Sequence, residues 1–163
     1  MANAAEATLR KGLVTGYAGG SEPRSVKRGP FTIKSSHHSF PEQQAEYLDE
    51  WIFQRTGGGQ EIAQYANDIA TRVFAGGVIR DEKLKELGIT HDQVISYFRA
   101  KLSEVADRTR LHENVVLDPD GDWQYRYEVQ KEVPELPMTI GLETVTYTGH
   151  TVFIHVFLIT PIA

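Results

Sequence analysis

The sequence predicts an α+β fold: a single domain of two similar halves, each with antiparallel strands and a helix, related by a pseudo-twofold axis. Three observations carry this. A helical pattern with a capping signature occupies the middle of the chain, alternating strands fill its last third, and two distant segments share a pattern. Gly59, Glu61 and Tyr65 shifted by 82 positions land on Gly141, Glu143 and Tyr147, while Val73, Phe74 and Ile79 shifted by 83 land on Val156, Phe157 and Ile162. The expected division is half one at about 5–80, a helical connector at about 81–108, and half two at about 112–162.

Composition sets the frame. A chain of 163 residues with 40% apolar and 10% aromatic content buries one substantial core. A net charge of −5 argues against nucleic-acid binding by bulk charge. The absence of cysteine excludes disulfides, thiolate metal sites and a cysteine nucleophile. No apolar run reaches the roughly 18 residues of a membrane span, and "MANAAEATLRKG" lacks a secretory apolar stretch. These features suggest a soluble cytoplasmic protein without membrane partners.

In chain order, residues 4–15 suggest a helix with Ala5, Leu9 and Leu13 on one side. "GYAGGSEPRSVKRGP" is a loop by composition, holding a local basic cluster of Arg24, Lys27 and Arg28. "FTIKS" suggests a strand. "FPEQQAEYLDEWIFQ" is ambiguous, since Ser39 before Pro41-Glu42 resembles a helix start whereas Tyr47, Asp49 and Trp51 alternate. "GGGQEIAQYANDIATRVFAGGVI" admits two readings: a helix striped by Ile62, Tyr65, Ala66, Ile69, Ala70 and Val73, or a hairpin turning at Asn67-Asp68. Its echo in the C-terminal hairpin, too β-branched on both faces for a helix, favours the hairpin.

"RDEKLKELGITHDQVISYFRAKLSEVADR" reads as helix, with Thr90 and Gln93 as a capping box and Val94, Ile95, Phe98, Leu102 and Val105 as the apolar face. "DPDG" marks a turn, "DWQYRYEVQKEV" alternates, and "MTIGLETVTYTGHTVFIHVFLI" is a hairpin turning at Thr148-Gly149.

In order and spacing, "GYAGG" (16–20), "YLDEW" (47–51), "GQE" (59–61), "FAGGVIRDE" (74–82), "GDWQY" (121–125), "GLE" (141–143) and "VFIHVFLITPI" (152–162) resemble a bacterial domain-of-unknown-function family. That family is found alone or fused behind XRE-type helix-turn-helix regulators. The resemblance implies tandem G-x-E hairpin halves and brings no assigned chemistry. This chain departs from the family at Ile159-Thr160-Pro161, where a glycine pair is usual.

The candidate site centres on Glu61 and Glu143, which hold equivalent places in the two halves. Paired carboxylates do acid/base work or hold a cation, and each alternatively bonds the amides of its own turn. His155 shares a strand face with Phe153 and Phe157, as a satisfied core residue or as a pocket residue of shifted pKa. Asp49, Trp51, Tyr65, Trp123, Tyr125 and Tyr147 complete the expected ligand-binding set, aromatic walls with a few polar groups being what an apolar pocket requires. The catalytic residues stay unassigned. Six scattered histidines give no metal site, and Asp118, Asp120 and Asp122 lack the glycine a calcium loop needs. No cofactor is expected.

Three functions follow as expectations: a small-molecule sensor or carrier, a small enzyme using Glu61 or Glu143 with His155, or a protein that dimerises through its C-terminal strand. In the last, Val152, Ile154, Val156 and Leu158 would form a second apolar face.

Overall fold

The computed structural model describes residues 4–162, whose strands form one nine-stranded antiparallel sheet with three helices packed on it. Helix α1 (Ala4–Thr15) forms where Ala5, Leu9 and Leu13 share a stripe, and all three are buried. Strand β1 (Arg24–Arg28) lies within the segment expected to be a loop. It is an exposed edge strand of mostly charged residues, so its alternation carries no apolar signal. Strand β2 (Phe31–Phe40) extends the expected strand, and Pro41–Gln43 make one 3-10 turn rather than a helix. Strand β3 (Ala45–Phe53) follows, so the alternation of Tyr47, Asp49 and Trp51 prevails over the helix-start signal.

The ambiguous stretch is a hairpin of β4 (Thr56–Tyr65) and β5 (Asp68–Val78). Its turn falls on Ala66-Asn67 instead of Asn67-Asp68, because Asp68 pairs directly with Tyr65. Glu61, Ala63, Ala70, Arg72 and Val78 are buried on its helix side, at a period of two that outweighs the helical stripe. Helices α2 (Asp81–Glu86) and α3 (His91–Val105) follow, and Thr90 with Gln93 forms the capping box at the start of α3. Val94, Phe98, Leu102 and Val105 are buried, as their spacing requires.

The chain ends with β6 (Val115–Val116), β7 (Trp123–Val133), β8 (Met138–Tyr147) and β9 (His150–Ile162), the last two turning at Thr148-Gly149. The strand order is β1-β2-β3-β4-β5-β9-β8-β7-β6: two meanders joined where β5 pairs with β9. Helix α1 packs Ala5 and Leu9 against Tyr47, Ala63 and Ala70 of the first meander. Helix α3, from the connector, packs Phe98 and Leu102 with Tyr125, Val145, Phe153 and Phe157 of the second. Among the described residues no helix is long and apolar enough to cross a membrane.

The opposite face of the sheet is uncovered by helices and leaves Val73, Ile154, Val156 and Leu158 partly exposed. Val152, expected on that face, is instead buried with the core. A register shift at Val145/Thr146 breaks the alternation and turns it inward.

The G-x-E pattern has a packing cause. A Cβ at Gly59 would lie 2.6 Å from Cζ of Phe74, and one at Gly141 would lie 2.1 Å from the Tyr127 hydroxyl. In each half, glycine leaves room for a neighbouring ring, and the glutamate two residues on points to the same face and is buried. Gly12 of α1 does the same for Tyr47, whose Cδ2 would sit 2.1 Å from an added Cβ. Gly12→Ala therefore gains up to about 1 kcal/mol of helix propensity but overpacks a fully buried ring, typically at about 1–3 kcal/mol. Net destabilisation in urea melts is expected; equal or greater stability would show that α1 shifts freely.

Candidate functional site

Buried charge on the inner face of the sheet is organised around two glutamates. Glu61 on β4 faces Asp49 on β3 and Arg72 on β5 across the register. Its Oε1 accepts bonds from the Tyr47 hydroxyl at 2.7 Å and Arg72 Nη2 at 2.5 Å, while Arg72 Nε bonds Oε2. Burial alone would push this carboxyl up, but the Arg72 guanidinium and its hydrogen bonds hold it below the usual carboxylate range. Arg72 is itself wholly buried and donates Nη1 to the Arg110 carbonyl at 2.9 Å, tying the end of the connector to the sheet.

Glu143 on β8 is held similarly. Tyr125 donates its hydroxyl to Oε1 at 2.6 Å, and Arg110 reaches both oxygens from Nε and Nη2 at 2.9 and 2.8 Å. His155, opposite on β9, places Nδ1 3.3 Å from Oε2. Burial opposes ionisation of Glu143, but Arg110 and the bonds from His155 hold it at about 2. Two strand triplets thus match in register: Tyr47–Glu61–Arg72 and Tyr125–Glu143–His155, each with its tyrosine opposite the residue two after the glutamate. Arg110 comes from outside the pattern, with φ of 61°, left-handed backbone that costs a non-glycine residue about 1–2 kcal/mol. Its bonds to Glu143 and Arg72 hold that conformation.

Asp49 is the exception. Neither of its carboxyl oxygens has a hydrogen-bond partner among the described residues, and Oδ1 is fully enclosed, although only 5% of the residue is exposed. Burial and the facing Glu61 push it up to about 8, against the pull of Arg72 and Arg110. His155 Nε2 is likewise buried without a partner. Burial lowers its pKa despite Glu143, so the ring is neutral at pH 7, and Nδ1–H facing Glu143 leaves Nε2 an acceptor.

These groups border one cavity of about 210 Å³ under α3, lined by Asp49, Trp51, Glu61, Arg110 and His155 with the rings of Tyr17, Phe53, Phe74, Phe98 and Phe153. Inner-face glycines make the space. Gly57 stands between Phe53 and Gly76, and Gly76 stands beside His155, so the Phe53 ring crosses two bare positions to meet His155 at 5.3 Å. Ile95, Arg99 and His91 of α3 border the other side.

Of the nine expected ligand residues, Asp49, Trp51, Glu61 and His155 line the cavity. Glu143 and Tyr125 lie behind His155 and orient it. Trp123 and Tyr147 meet with tilted rings 4.6 Å apart, and Trp123 stacks on Tyr97 at 5.1 Å, beside the β8–β9 turn. Tyr65 stands beside the β4–β5 turn with 39% of its surface exposed. Strand parity made these three look like partners of the site, but they sit at hairpin ends, away from the cavity.

Sequence reasoning did not name Arg72 or Arg110. An arginine at an inward register position, between Ala70 and Phe74, was the available signal for Arg72. Arg110 lies outside any periodic element and gave none. Among the described residues no cluster of three or more histidines and carboxylates is placed to hold a metal ion. No family model, curated protein or solved structure matches this chain.

Proposed function

We propose that the protein binds a small, partly apolar molecule in the cavity under α3, as a sensor or carrier. The observation that carries this is an unpartnered, buried Asp49 carboxyl on an aromatic-walled cavity. Folding leaves such a group without compensation, at about 1–3 kcal/mol or more, and a ligand supplies the missing bonds. The volume suits one ring with a substituent, since an apolar cavity of about 150 Å³ holds benzene. The matched triplets around Glu61 and Glu143 support descent from a duplicated hairpin. A regulator-linked family context, as the sequence resemblance implies, suits a sensor.

The acid/base alternative loses its proposed base: Glu61 and Glu143 are each neutralised by an arginine and fully hydrogen-bonded. Thermal-shift screening of ring-bearing metabolites tests the binding reading. Hits are expected to lose their shift in Ile95→Trp, which fills the cavity from α3. Hits that persist unchanged in that variant would place binding elsewhere.

Self-association is a second reading, favoured by the apolar outer centre of Val73, Ile154, Val156 and Leu158. It is rimmed by Glu50, Arg126 and Glu128, the apolar-centre, polar-rim pattern of protein interfaces. Light scattering is expected to show a dimer that Val156→Lys dissociates; a monomer at all concentrations would exclude it.

A further inference from the structure

Resting on the binding reading above, we propose that the cavity takes the carboxylate of a small ring-bearing acid, one oxygen on Arg110 Nη1 and the other on Asp49. The inference follows from which polar groups remain unspent. Both Glu61 oxygens are occupied by Arg72 and Tyr47, and both Glu143 oxygens by Arg110, Tyr125 and His155. Of the residues that border the cavity, Asp49 Oδ1 and His155 Nε2 are buried without a partner, and Arg110 also borders it, with no hydrogen bond from Nη1 among the described residues. Arg110 commits Nε and Nη2 to Glu143, so Nη1 keeps its N–H bonds for a ligand.

Charge decides the ligand class. Glu61 is balanced by Arg72 and Glu143 by Arg110, so the buried cluster is neutral when Asp49 holds its proton. The groups facing Asp49 are Glu61 on β4, Arg72 on β5, Arg110 after α3 and its strand neighbour Glu50. Burial and Glu61 keep the proton on Asp49 at neutral pH, making it an O–H donor. Two donors therefore converge on the cavity, and a carboxylate presents one oxygen to each. Arg99 on α3 lines it further, and its charge favours an anion over a cation. A single unspent guanidinium edge suits a monoanion better than a phosphate dianion. The ring of the ligand would lie against Trp51, Phe53, Phe74 and Phe98.

The test uses calorimetric titration of the full chain with benzoate, benzyl alcohol and benzylamine, at about pH 6 and about pH 9. The proteins are wild type, Asp49→Asn and Asp49→Leu, with circular dichroism confirming that each is folded. Benzoate is expected to bind wild type at pH 6 at least about tenfold tighter than benzyl alcohol, and to weaken about tenfold at pH 9, where ionised Asp49 repels it. Asp49→Asn keeps an N–H donor, so its benzoate affinity is expected to be the same at both pH values. Asp49→Leu should lose about tenfold at pH 6.

Benzoate binding equally well to wild type and Asp49→Leu would overturn the assignment. So would benzylamine binding that tightens as pH rises, which marks a cation site. Binding of benzyl alcohol without benzoate would keep the cavity reading and remove the carboxylate. Failure of all three ring probes at millimolar concentration would remove both.

Discussion

Replacing Asp49 with asparagine is expected to stabilise the protein at pH 8 by several kcal/mol while changing little at pH 4. The folded state holds the Asp49 proton up to about 8, whereas an unfolded aspartate releases it near 4. Between these values the folded protein binds more protons, so its stability falls as pH rises. At about 1.4 kcal/mol per pH unit over about four units, the penalty reaches at most about 6 kcal/mol above pH 8. The amide cannot ionise and escapes it. Urea denaturation of both proteins at the two pH values measures the effect. A wild type whose stability does not fall across this window relative to Asp49→Asn would mean that Asp49 is ionised and solvated in the folded state.

Arg72→Leu is expected to act in the opposite direction and as strongly. It leaves Glu61, with 1% of its surface exposed, without its counter-charge, and it removes the bond to the Arg110 carbonyl. Breaking a buried pair from one side costs about 3–5 kcal/mol, a large part of a domain's stability. Glu61→Leu combined with Arg72→Leu should recover much of that loss, because no unpaired charge then remains. A double variant no more stable than Arg72→Leu would show that Tyr47 and the Arg110 carbonyl, rather than the charge pair, carry the stability. The two results are linked, since Asp49 is held neutral partly by the negative Glu61 that Arg72 anchors.

The α+β class, the C-terminal hairpin and the capped helix were legible because each rests on local periodicity. Thr90 and Gln93 sit three residues apart, and the apolar face of α3 recurs every three to four residues. The hairpin at 56–78 was legible only by comparison with its echo, since Ile62, Ala66, Ile69 and Val73 satisfy a helical period equally well. Strand β1 was missed because an exposed charged edge strand has no apolar alternation to detect. Glu61, Asp49 and His155, singled out by parity and motif, line the cavity. Tyr65, Trp123 and Tyr147 were grouped with them because parity gives the face of a residue and not its distance along the strand from the cavity.

By itself, the sequence determined the face alternation of most strands and the equivalence of two G-x-E segments that carry Glu61 and Glu143. These follow from side-chain alternation and from the room a glycine leaves for a ring, both local properties of the chain. Only the tertiary structure decided that Glu61 and Glu143 are spent on Arg72 and Arg110, and that Asp49 is left unpaired on the cavity. Those outcomes depend on which strand lies beside which and on a single left-handed residue at Arg110. Charge pairing across 33 positions of chain has no periodic trace in the sequence, because it is set by where the connector returns to the sheet.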